Sequence, residues 1–370
     1  MRLLYLTDRL SDRGGADHHL SQVISVSVKA GDRVTVAFGR DEGGSAIEDG
    51  VEFHRIRGLS TMVDTKSRLG GLASLLGATD VVHVQNVMNP TALAMAVEGG
   101  RTVVTVQDHR VFCPGPGKTL RDGSACIVRM ADAMCHDCLP DDAYRQATLE
   151  LTRRRLEALR DAEVVTLSRY MAEQLAAVGA TGARVIPPWV EVGSERSDPG
   201  RTFMLAGRLV AHKGVVDGWR AWRQAGRPLP LVVAGSGPLE SELSGAVLRG
   251  WLAPEDLRAT LRSARALIFP TRWQEPFGIL GLESLAQGTP VVVAESGGTA
   301  DWSTSGCIRV PAGDVEGMAA AIQRLAADPE WALELGRKGQ SAVRDLFARE
   351  LLAPKLRELY HGVASSLFGG

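Results

Sequence analysis

The chain has 370 residues, of which 45% are hydrophobic and 23% are charged, and its formal net charge at pH 7 is -1. This composition favours a globular soluble protein with room for two domains, and the near-zero charge gives no support for nucleic-acid binding, which needs a basic face. No apolar run approaches the roughly 20 residues that a membrane span needs, and the apolar start at residues 1–6 is too short for a signal peptide. We therefore expect a cytoplasmic protein without a transmembrane segment, and peripheral contact with a membrane stays open.

The N-terminal half alternates strand and helix signals. Strands are predicted at residues 3–6, 33–38, 51–56, 81–84, 102–106 and 164–167, and helices at residues 19–28 and 144–162. The segments 81–84 and 102–106 are short, β-branched and apolar on both faces, which is typical of buried parallel strands. Helical segments between such strands predict a doubly wound parallel sheet.

A segment with two consecutive prolines, Pro187 and Pro188, separates this half from a second α/β pattern. Strands are predicted again at residues 203–206, 229–234, 266–269 and 291–294. We predict an α/β protein with one Rossmann-like domain over residues 1–186 and a second over residues 187–350, facing each other across a cleft. A C-terminal helix over residues 351–370 is a candidate to pack back on the first domain. Ligands of such sheets bind beyond the carboxyl ends of the strands.

Four loops of the second half follow predicted strands and carry residues that suit phosphate or sugar. The first begins with Gly207 and Arg208 and reaches Lys213, and guanidinium and ammonium groups both bind phosphate oxygens. The second begins at Gly235, where glycines let the backbone approach a ligand closely, and the fourth begins at Glu295. Each motif taken alone also fits an ordinary turn with surface charges.

The third loop is the most informative of the four. Glu275 precedes a predicted helix start at Gly278, and Glu283 lies in the early turns of that helix. Bare N–H groups at a helix start suit an anion such as a diphosphate, and carboxylates accept hydrogen bonds from hydroxyl groups. Two glutamates near a helix start also complement the helix dipole without any ligand, so this segment alone leaves both interpretations open.

In this order, the four motifs over residues 203–350 resemble the nucleotide-sugar domain of family-4 retaining glycosyltransferases, which have the two-Rossmann fold called GT-B. The resemblance implies a hexosyltransferase that uses a UDP- or GDP-linked sugar without a catalytic metal. It implies a front-face displacement in which the leaving phosphate accepts the acceptor's proton. It also implies that Arg208 and Lys213 hold the diphosphate, Glu275 the sugar hydroxyls and Glu283 the ribose. The other positions that it places at the donor are Gly14, Gly15, Gly207, Gly235, Trp251, Pro276, Phe277 and Gly278.

The N-terminal half matches this family more loosely. Gln107, Asp108 and His109 follow the strand at residues 102–106, where relatives commonly have His-Asp. Asp108 and His109 are therefore implied site residues, and either His109 takes over the imidazole role or Gln107 replaces it with an amide. A purely structural, hydrogen-bonded His109 is the alternative. The acceptor is a small molecule, natural product, lipid or glycan.

Four of the 5 cysteines lie in an insertion over residues 113–140 that is rich in Gly, Pro and Asp. The Cys135-x-x-Cys138 spacing fits structural zinc, and Cys113 and Cys126 could complete a tetrahedron, with His136 as a substitute ligand. Paired disulfides, which a cytoplasmic compartment disfavours, and unlinked thiols are the alternatives. Some family-4 relatives have a similar run, and we expect the insertion to cap the acceptor side.

Two other functions stay open from the sequence. One is a sugar-nucleotide epimerase or hydrolase of the same fold, and the other is a non-catalytic protein that binds sugar nucleotides. A dehydrogenase is disfavoured, because Glu240 stands where the third glycine of a dinucleotide fingerprint would lie.

Overall fold

The computed structural model of the protein describes residues 1–43, 49–63, 66–120, 122 and 124–365. The chain forms two compact units. The first is built from Met1–Leu120, Cys126–Pro188 and Leu352–Gly370, and the second mainly from Trp189–Leu351. Each unit contains one parallel β-sheet with helices, which confirms the predicted pair of Rossmann-like domains.

The first unit contains seven strands and, before its last segment, six α-helices within the described residues. Its strands are β1 (Arg2–Leu10), β2 (Arg33–Asp41), β3 (Glu52–Arg55), β4 (Val81–Gln85), β5 (Thr102–Val106), β6 (Glu163–Thr166) and β7 (Arg184–Val185). Its helices are α1 (Gly15–Lys29), α2 (Leu72–Gly77), α3 (Pro90–Val97), α4 (Asp132–Cys135), α5 (Asp142–Ala158) and α6 (Arg169–Ala177).

The second unit repeats the alternation of strand and helix. Its strands are β8 (Thr202–Ala206), β9 (Leu231–Ala234), β10 (Val247–Leu248), β11 (Ala264–Phe269), β12 (Val291–Glu295) and β13 (Cys307–Pro311). Its helices are α7 (Val215–Gln224), α8 (Pro254–Ser263), α9 (Ile279–Ala286), α10 (Val315–Ala327) and α11 (Pro329–Leu346). The chain ends with α12 (Arg349–Ser365), whose residues from Leu352 onward belong to the first unit.

Side-chain caps define where several helices begin. Ser168 accepts a hydrogen bond from the N–H of Met171 at the start of α6, and Asp141 caps α5 in the same way. Asn89 caps α3, where Pro90 occupies the first helical position and needs no backbone partner. Among the helices of the described ranges, none combines the length and the hydrophobicity that a bilayer crossing requires.

The first sheet has the strand order β3-β2-β1-β4-β5-β6-β7 and consists of parallel neighbours. The order reverses between β1 and β4, as in doubly wound sheets. One face carries an apolar core that includes Leu4 and Val82. The other face carries Tyr5 and His83 in register. The ring of Tyr360 on α12 packs against that of His83, and its hydroxyl lies 3.3 Å from the hydroxyl of Tyr5.

The second sheet has the strand order β10-β9-β8-β11-β12-β13, again with parallel pairs. Its central strands are almost wholly apolar, and their side chains form a core with α7 and α10. Here the order reverses between β8 and β11. The loops that leave the carboxyl ends of these two strands are therefore the expected place for a ligand.

Candidate functional site

Four loops meet at the carboxyl edge of the second sheet. They follow β8, β9, β11 and β12, and they begin at Gly207, Gly235, Pro270 and Ser296. They carry the four motifs that the sequence pointed to, and the backbone of each loop contacts another loop of the set. The edge is thus one continuous site built by neighbouring strands.

Lys213 and Glu275 form a largely buried ion pair in this site. The Nζ atom of Lys213 lies 2.6 Å from Oε1 of Glu275, whose side chain is 4% exposed. The hydroxyl of Thr271 donates to the same carboxylate oxygen at 3.0 Å. The ammonium group of Lys213 also lies 4.8 Å from the ring centroid of Trp273, within the range of a cation–π contact. The structure brings together a cation and a carboxylate that the sequence placed in separate motifs.

Glycines allow the loops to approach each other at backbone distance. A Cβ atom on Gly214 would lie 1.8 Å from the carbonyl oxygen of Pro270, and one on Gly235 would lie 1.9 Å from that of Gly207. Both glycines have positive φ angles, 65° and 131°. No other residue fits such positions without displacing backbone. The close contacts fix the relative positions of the loops that follow β8, β9 and β11.

The loop after β12 contacts the backbone of Glu275. The N–H of Gly298 donates to the carbonyl of Glu275 at 2.7 Å, and a Cβ on Gly297 would lie 2.5 Å from the same oxygen. The hydroxyl of Ser296 donates to the carbonyl of Trp273. The Ser-Gly-Gly motif therefore holds the main chain of Glu275 in place.

Arg208 is exposed at the start of the loop after β8. One of its guanidinium nitrogens lies 3.5 Å from Nε2 of His212. Burial lowers the pKa of His212, and the neighbouring charges of Lys213 and Arg208 lower it further. His212 is therefore neutral at pH 7, and the positive charge of this loop resides on Arg208 and Lys213.

His212, Arg272 and Asp217 were not among the predicted site residues, and the structure adds all three to the site. The carbonyl of His212 accepts hydrogen bonds from the N–H groups of Arg272 and Trp273, at 3.0 and 2.9 Å. The guanidinium of Arg272 binds both carboxylate oxygens of Asp217 on α7, with one contact at 3.0 Å. These contacts join the loops after β8 and β11 over more than 50 residues of sequence, and no local motif could have indicated them.

Helix α9 starts directly after Gly278, whose φ angle is 87°. Phe277 is 1% exposed, its carbonyl accepts from the indole N–H of Trp302 at 2.6 Å, and its ring packs against Phe347. The side chain of Phe277 thus belongs to the core. Pro276 is buried beside it, and Glu283 lies half-buried on α9.

Trp251 lies outside this cluster, just after the edge strand β10. Its side chain is 43% exposed. The preceding residue, Gly250, accepts a hydrogen bond of 2.6 Å from the N–H of Gly235. The loop after β10 is therefore connected to the loop after β9, with the Trp251 ring accessible to solvent.

The remaining predicted site residues belong to the first unit. Gly14 and Gly15 lie at the start of α1, and the carbonyl of Gly14 accepts the first helical hydrogen bonds from Asp17 and His18, both at 3.0 Å. This turn follows β1, and Arg9 of β1 binds the buried carboxylate of Asp17. The turn is thus held at the carboxyl edge of the first sheet.

Gln107, Asp108 and His109 follow β5 and point to different surroundings. Asp108 is half-buried and accepts from the N–H of Arg110 at 2.8 Å. His109 has no exposed surface, and its Nε2 lies 3.2 Å from the hydroxyl of Tyr170. Gln107 is 8% exposed, and its amide nitrogen donates to Gln85 and to His19, both at 2.8 Å. The imidazole of His109 therefore lies in the core, and the side chain at the strand end is the amide of Gln107.

The four clustered cysteines do not form the predicted zinc site. No disulfide bond joins any of them within the described residues. Within the described residues, which include Cys113, Cys126, Cys135 and Cys138, no group of three or more His, Cys, Asp or Glu side chains is arranged to hold a metal ion. The sulfur of Cys113 accepts from the N–H of Lys118 at 3.4 Å, and burial raises the pKa of the Cys135 thiol. The zinc expectation is therefore not supported.

Comparison with known proteins agrees with the arrangement of the second unit. Residues 200–328 match the family model described as Glycosyl transferases group 1. The glycogen synthase of Mycobacterium tuberculosis is 31% identical over 173 residues, which are 43% of this chain and 42% of that protein. The aligned part is thus less than half the length of this curated relative.

Solved structures with a similar fold cover nearly the whole chain. Sucrose-phosphate synthase from Thermosynechococcus elongatus has a TM-score of 0.73 at 19% identity, over 99% of this chain and 100% of that chain. HepE (Alr3699) from Anabaena, solved in complex with UDP and glucose, has a TM-score of 0.69 at 16% identity, over 98% of this chain and 100% of that chain. Residues 200–328 thus match the Glycosyl transferases group 1 model, and the chain as a whole has the GT-B fold of two Rossmann-like domains.

Proposed function

We propose that this protein is a family-4 retaining glycosyltransferase, which moves a sugar from a UDP- or GDP-linked donor to an acceptor hydroxyl. The observation that carries the proposal is the ion pair of Lys213 and Glu275, 2.6 Å apart at the carboxyl edge of the second sheet. A lysine and a glutamate in this position offer one group to a diphosphate and one to sugar hydroxyls. The match of residues 200–328 to Glycosyl transferases group 1 supports the same activity.

In this proposal Arg208 and Lys213 hold the donor diphosphate. Glu275 neutralises Lys213 in the ligand-free protein, so an incoming diphosphate competes with the carboxylate for the ammonium group. Once Lys213 turns to the phosphate, its charge stabilises the negative charge that develops on the leaving group. Glu275 stays fixed by Thr271 and by its own main chain, and it then accepts hydrogen bonds from the sugar hydroxyls. Glu283 on α9 takes the ribose hydroxyls.

The mechanism needs no nucleophile from the protein. In a front-face displacement, the leaving phosphate accepts the proton of the acceptor hydroxyl while that oxygen bonds to the anomeric carbon. The protein contributes positioning and charge stabilisation. Glu275 accepts from both Lys213 and Thr271, which suits a carboxylate that orients a sugar rather than one that attacks it.

We assign the acceptor to the carboxyl edge of the first sheet. The turn at Gly14 and Gly15, which the resemblance places beside both the donor phosphate and the acceptor, follows β1, and Asp108 follows β5. Both therefore lie where ligands of doubly wound sheets bind. The acceptor hydroxyl belongs to a small molecule, natural product, lipid or glycan.

A panel of UDP- and GDP-linked sugars tests the proposal. A donor present at 100 times its Kd should stabilise the folded protein by about 2.7 kcal/mol, seen as a higher unfolding temperature. Transfer to members of each acceptor class, followed by NMR of the anomeric proton in the product, then tests retention. No stabilisation by any donor would contradict the proposal. Donor turnover without an acceptor would favour the epimerase or hydrolase, and binding without turnover would favour the non-catalytic alternative.

Lys213→Met is expected to lower kcat/KM by at least about 100-fold, because removal of one positioned charge from a transition state costs about 3–4 kcal/mol. It also leaves Glu275 buried without its cation, so the unfolding temperature should fall. The double variant Lys213→Met with Glu275→Gln removes both charges and should regain stability without regaining activity. Steady-state kinetics and thermal unfolding of both variants check these outcomes.

Lys338→Met is the matched control for this series. Its ammonium group pairs with Glu334 at 2.7 Å on an exposed face of α11 in the same unit. Activity should stay within about twofold of the parent, because exposed ion pairs of this kind contribute little. Equal losses of activity in Lys213→Met and Lys338→Met would show that Lys213 does not bind the donor.

A further inference from the structure

The imidazole of His212 lies beside both cations of the loop after β8. Its Nε2 lies 3.5 Å from a guanidinium nitrogen of Arg208, and Lys213 is the next residue in the chain. The side chains of His212 and Lys213 also contact the same indole ring, that of Trp273. The imidazole meets it edge-on with ring centroids 5.7 Å apart, and the ammonium group lies 4.8 Å from its centroid. Three side chains that are positively charged, or can become so, therefore form one cluster.

The main chain of His212 is fixed in this cluster. Its carbonyl accepts hydrogen bonds from the N–H groups of Arg272 and Trp273, at 3.0 and 2.9 Å. The imidazole is half-buried, and the guanidinium of Arg272 is turned away to the carboxylate of Asp217 on α7. Any residue at position 212 can make the carbonyl contacts, so substitutions of His212 change the side chain of the cluster and keep its backbone.

The charges that face the imidazole oppose a proton on it in the ligand-free protein. Burial lowers the pKa of His212, the positive charges of Lys213 and Arg208 lower it further, and only Glu275 acts in the opposite sense. The carboxylate of Glu275 is itself paired with Lys213 at 2.6 Å. A third positive charge is therefore unfavourable at this position as long as no anion is bound.

A bound diphosphate would reverse this balance. The guanidinium nitrogen that lies 3.5 Å from Nε2 of His212 binds a phosphate oxygen at about 2.8 Å, so that oxygen lies at most about 6 Å from the imidazole. An opposite charge at about 4–6 Å favours the charged form of an ionisable group. A diphosphate that attracts Lys213 also leaves the charge of Glu275 without its cation. Both changes favour a proton on His212.

We propose that His212 is a third cationic group of the donor site, which is neutral in the free protein and takes up a proton from solvent when the donor diphosphate binds. The proposal rests on the proposed function, because it places that diphosphate at Arg208 and Lys213. The free protein avoids the repulsion of three adjacent cations, and the occupied site gains the third charge. Donor binding is thereby coupled to pH, and the imidazole should make it stronger as the pH falls from about 8 to about 6.

Calorimetric titration with UDP and with GDP, in buffers that differ in ionisation enthalpy, measures the protons taken up per nucleotide. His212→Gln keeps a polar side chain that cannot titrate. The phosphate groups of the nucleotide titrate alike in both proteins, so the difference between them belongs to the imidazole. The parent should take up as much as about one proton more than His212→Gln, and its advantage in affinity should grow towards the lower pH by at most about tenfold per pH unit.

His212→Lys is a second variant that carries its charge throughout this pH range. It should bind UDP and GDP more tightly than the parent at about pH 8, and it should lack the proton uptake that the imidazole contributes. A merely structural role of the imidazole would predict weaker binding in both His212→Gln and His212→Lys, with the proton uptake of the parent retained.

His361→Gln is the matched control, because His361 is exposed on α12 in the first unit. Its affinity and proton uptake should equal those of the parent. NMR of the histidine rings, with inorganic pyrophosphate as the probe, follows the proton directly. Pyrophosphate should move the titration of His212 to higher pH and leave the signals of His361 unchanged.

The outcomes separate this proposal from the proposed function. Absence of binding by both UDP and GDP would contradict the proposed function, and the role of His212 would fall with it. Nucleotide binding with the same proton uptake and the same pH dependence in the parent and in His212→Gln would overturn the role of His212 alone. The donor site at Arg208 and Lys213 would then stand without it.

Discussion

Buried arginines in this protein donate to carbonyl oxygens at the ends of strands. Arg155 on α5 is 1% exposed and donates to the carbonyls of Met62, Met88 and Arg110. Burial lowers the pKa of its guanidinium to about 10, which still leaves the group charged at neutral pH. Met88 follows β4 and Arg110 follows β5, so a single side chain fixes several loops at the carboxyl edge of the first sheet.

Arg155→Met should destabilise the first unit by about 2–4 kcal/mol, because it leaves buried carbonyl groups without donors. Arg153→Met on the same helix is the control. Arg153 is exposed and pairs with Glu150 at 3.4 Å, so its loss should change stability by less than about 0.5 kcal/mol. Denaturant unfolding measures the free energy of unfolding of both variants, and hydrogen exchange of the β4 and β5 amides measures it within the first unit. Equal stability of the two proteins would show that water replaces the guanidinium.

At the residue scale, the sequence was informative where a motif is local. Glu275, Lys213 and Arg208 stand in short segments whose residue types alone suit phosphate and sugar, and the structure brings these segments to one sheet edge. The Arg-rich helix was also expected, but nothing in its pattern distinguishes buried Arg155 from exposed Arg153. Their difference depends on carbonyl groups that lie about 45 to 93 residues away in sequence.

At the element scale, the candidate donor site is a set of loops that support one another through their backbones. The loops after β8 and β9 exchange main-chain hydrogen bonds, including Leu209 N–H to the carbonyl of Ser236 at 2.9 Å. Glycines at the crossing points leave no room for side chains between them. The position of Lys213 relative to Glu275 therefore depends on several loops at once.

Gly235→Ala should disrupt donor binding and destabilise the second unit by more than about 2 kcal/mol. The added Cβ would lie 1.9 Å from the carbonyl oxygen of Gly207, so one loop must move. Gly226→Ala is the control for the cost of placing a side chain at a positive φ angle. Gly226 also has a positive φ, 87°, but no atom lies within 4 Å of its Cβ position, so the substitution causes no clash. The control should lose about 1 kcal/mol and keep donor affinity. Calorimetric titration with UDP and GDP compares the two variants. Equal affinities would show that the backbone contact between the loops after β8 and β9 does not position the donor site.

The elements that the sequence predicted are the ones with strong periodicity. Buried strands such as β5 and β12 were found within one residue, because a short run of β-branched side chains between turn residues has few alternatives. The strands β7, β10 and β13 were not predicted. The first two have only two residues each, and β10 is exposed on its outer edge. Their pairing comes from neighbours in the sheet rather than from their own pattern.

At the scale of the whole molecule, the first unit is the part that acid should weaken. His19 and His83 are buried and neutral, with pKa values lowered by burial to about 4 and about 3. In the unfolded chain both titrate near pH 6.5. The unfolded state therefore binds more protons between about pH 6.5 and pH 4, and stability is lost as the pH falls through this window. Asp8 acts in the opposite sense, because burial raises its pKa to about 6.

Burial also raises the pKa of Asp17, so two aspartates oppose the two histidines. The loss of stability per pH unit therefore stays below the roughly 2.7 kcal/mol that two protons would give. Asp8→Asn removes one opposing group, so the loss per pH unit should become steeper. Hydrogen exchange of β4 and β5 amides, corrected for intrinsic rates, measures this slope. The amides of β11 and β12 in the second unit provide an internal reference. A slope that is flat, or unchanged by Asp8→Asn, would contradict the assignment.

The contacts among the four loops of the second sheet also bear on attempts to redesign sugar preference. A loop transplanted alone from a related protein would have a backbone path that suits different neighbours. At Gly214, Gly235 and Gly297 the neighbouring backbone is too close for such a loop to fit. The loops after β8, β9, β11 and β12 are better exchanged as one block. Exposed positions outside the crossing points, such as Trp251, can be randomised singly, since a new side chain there meets solvent.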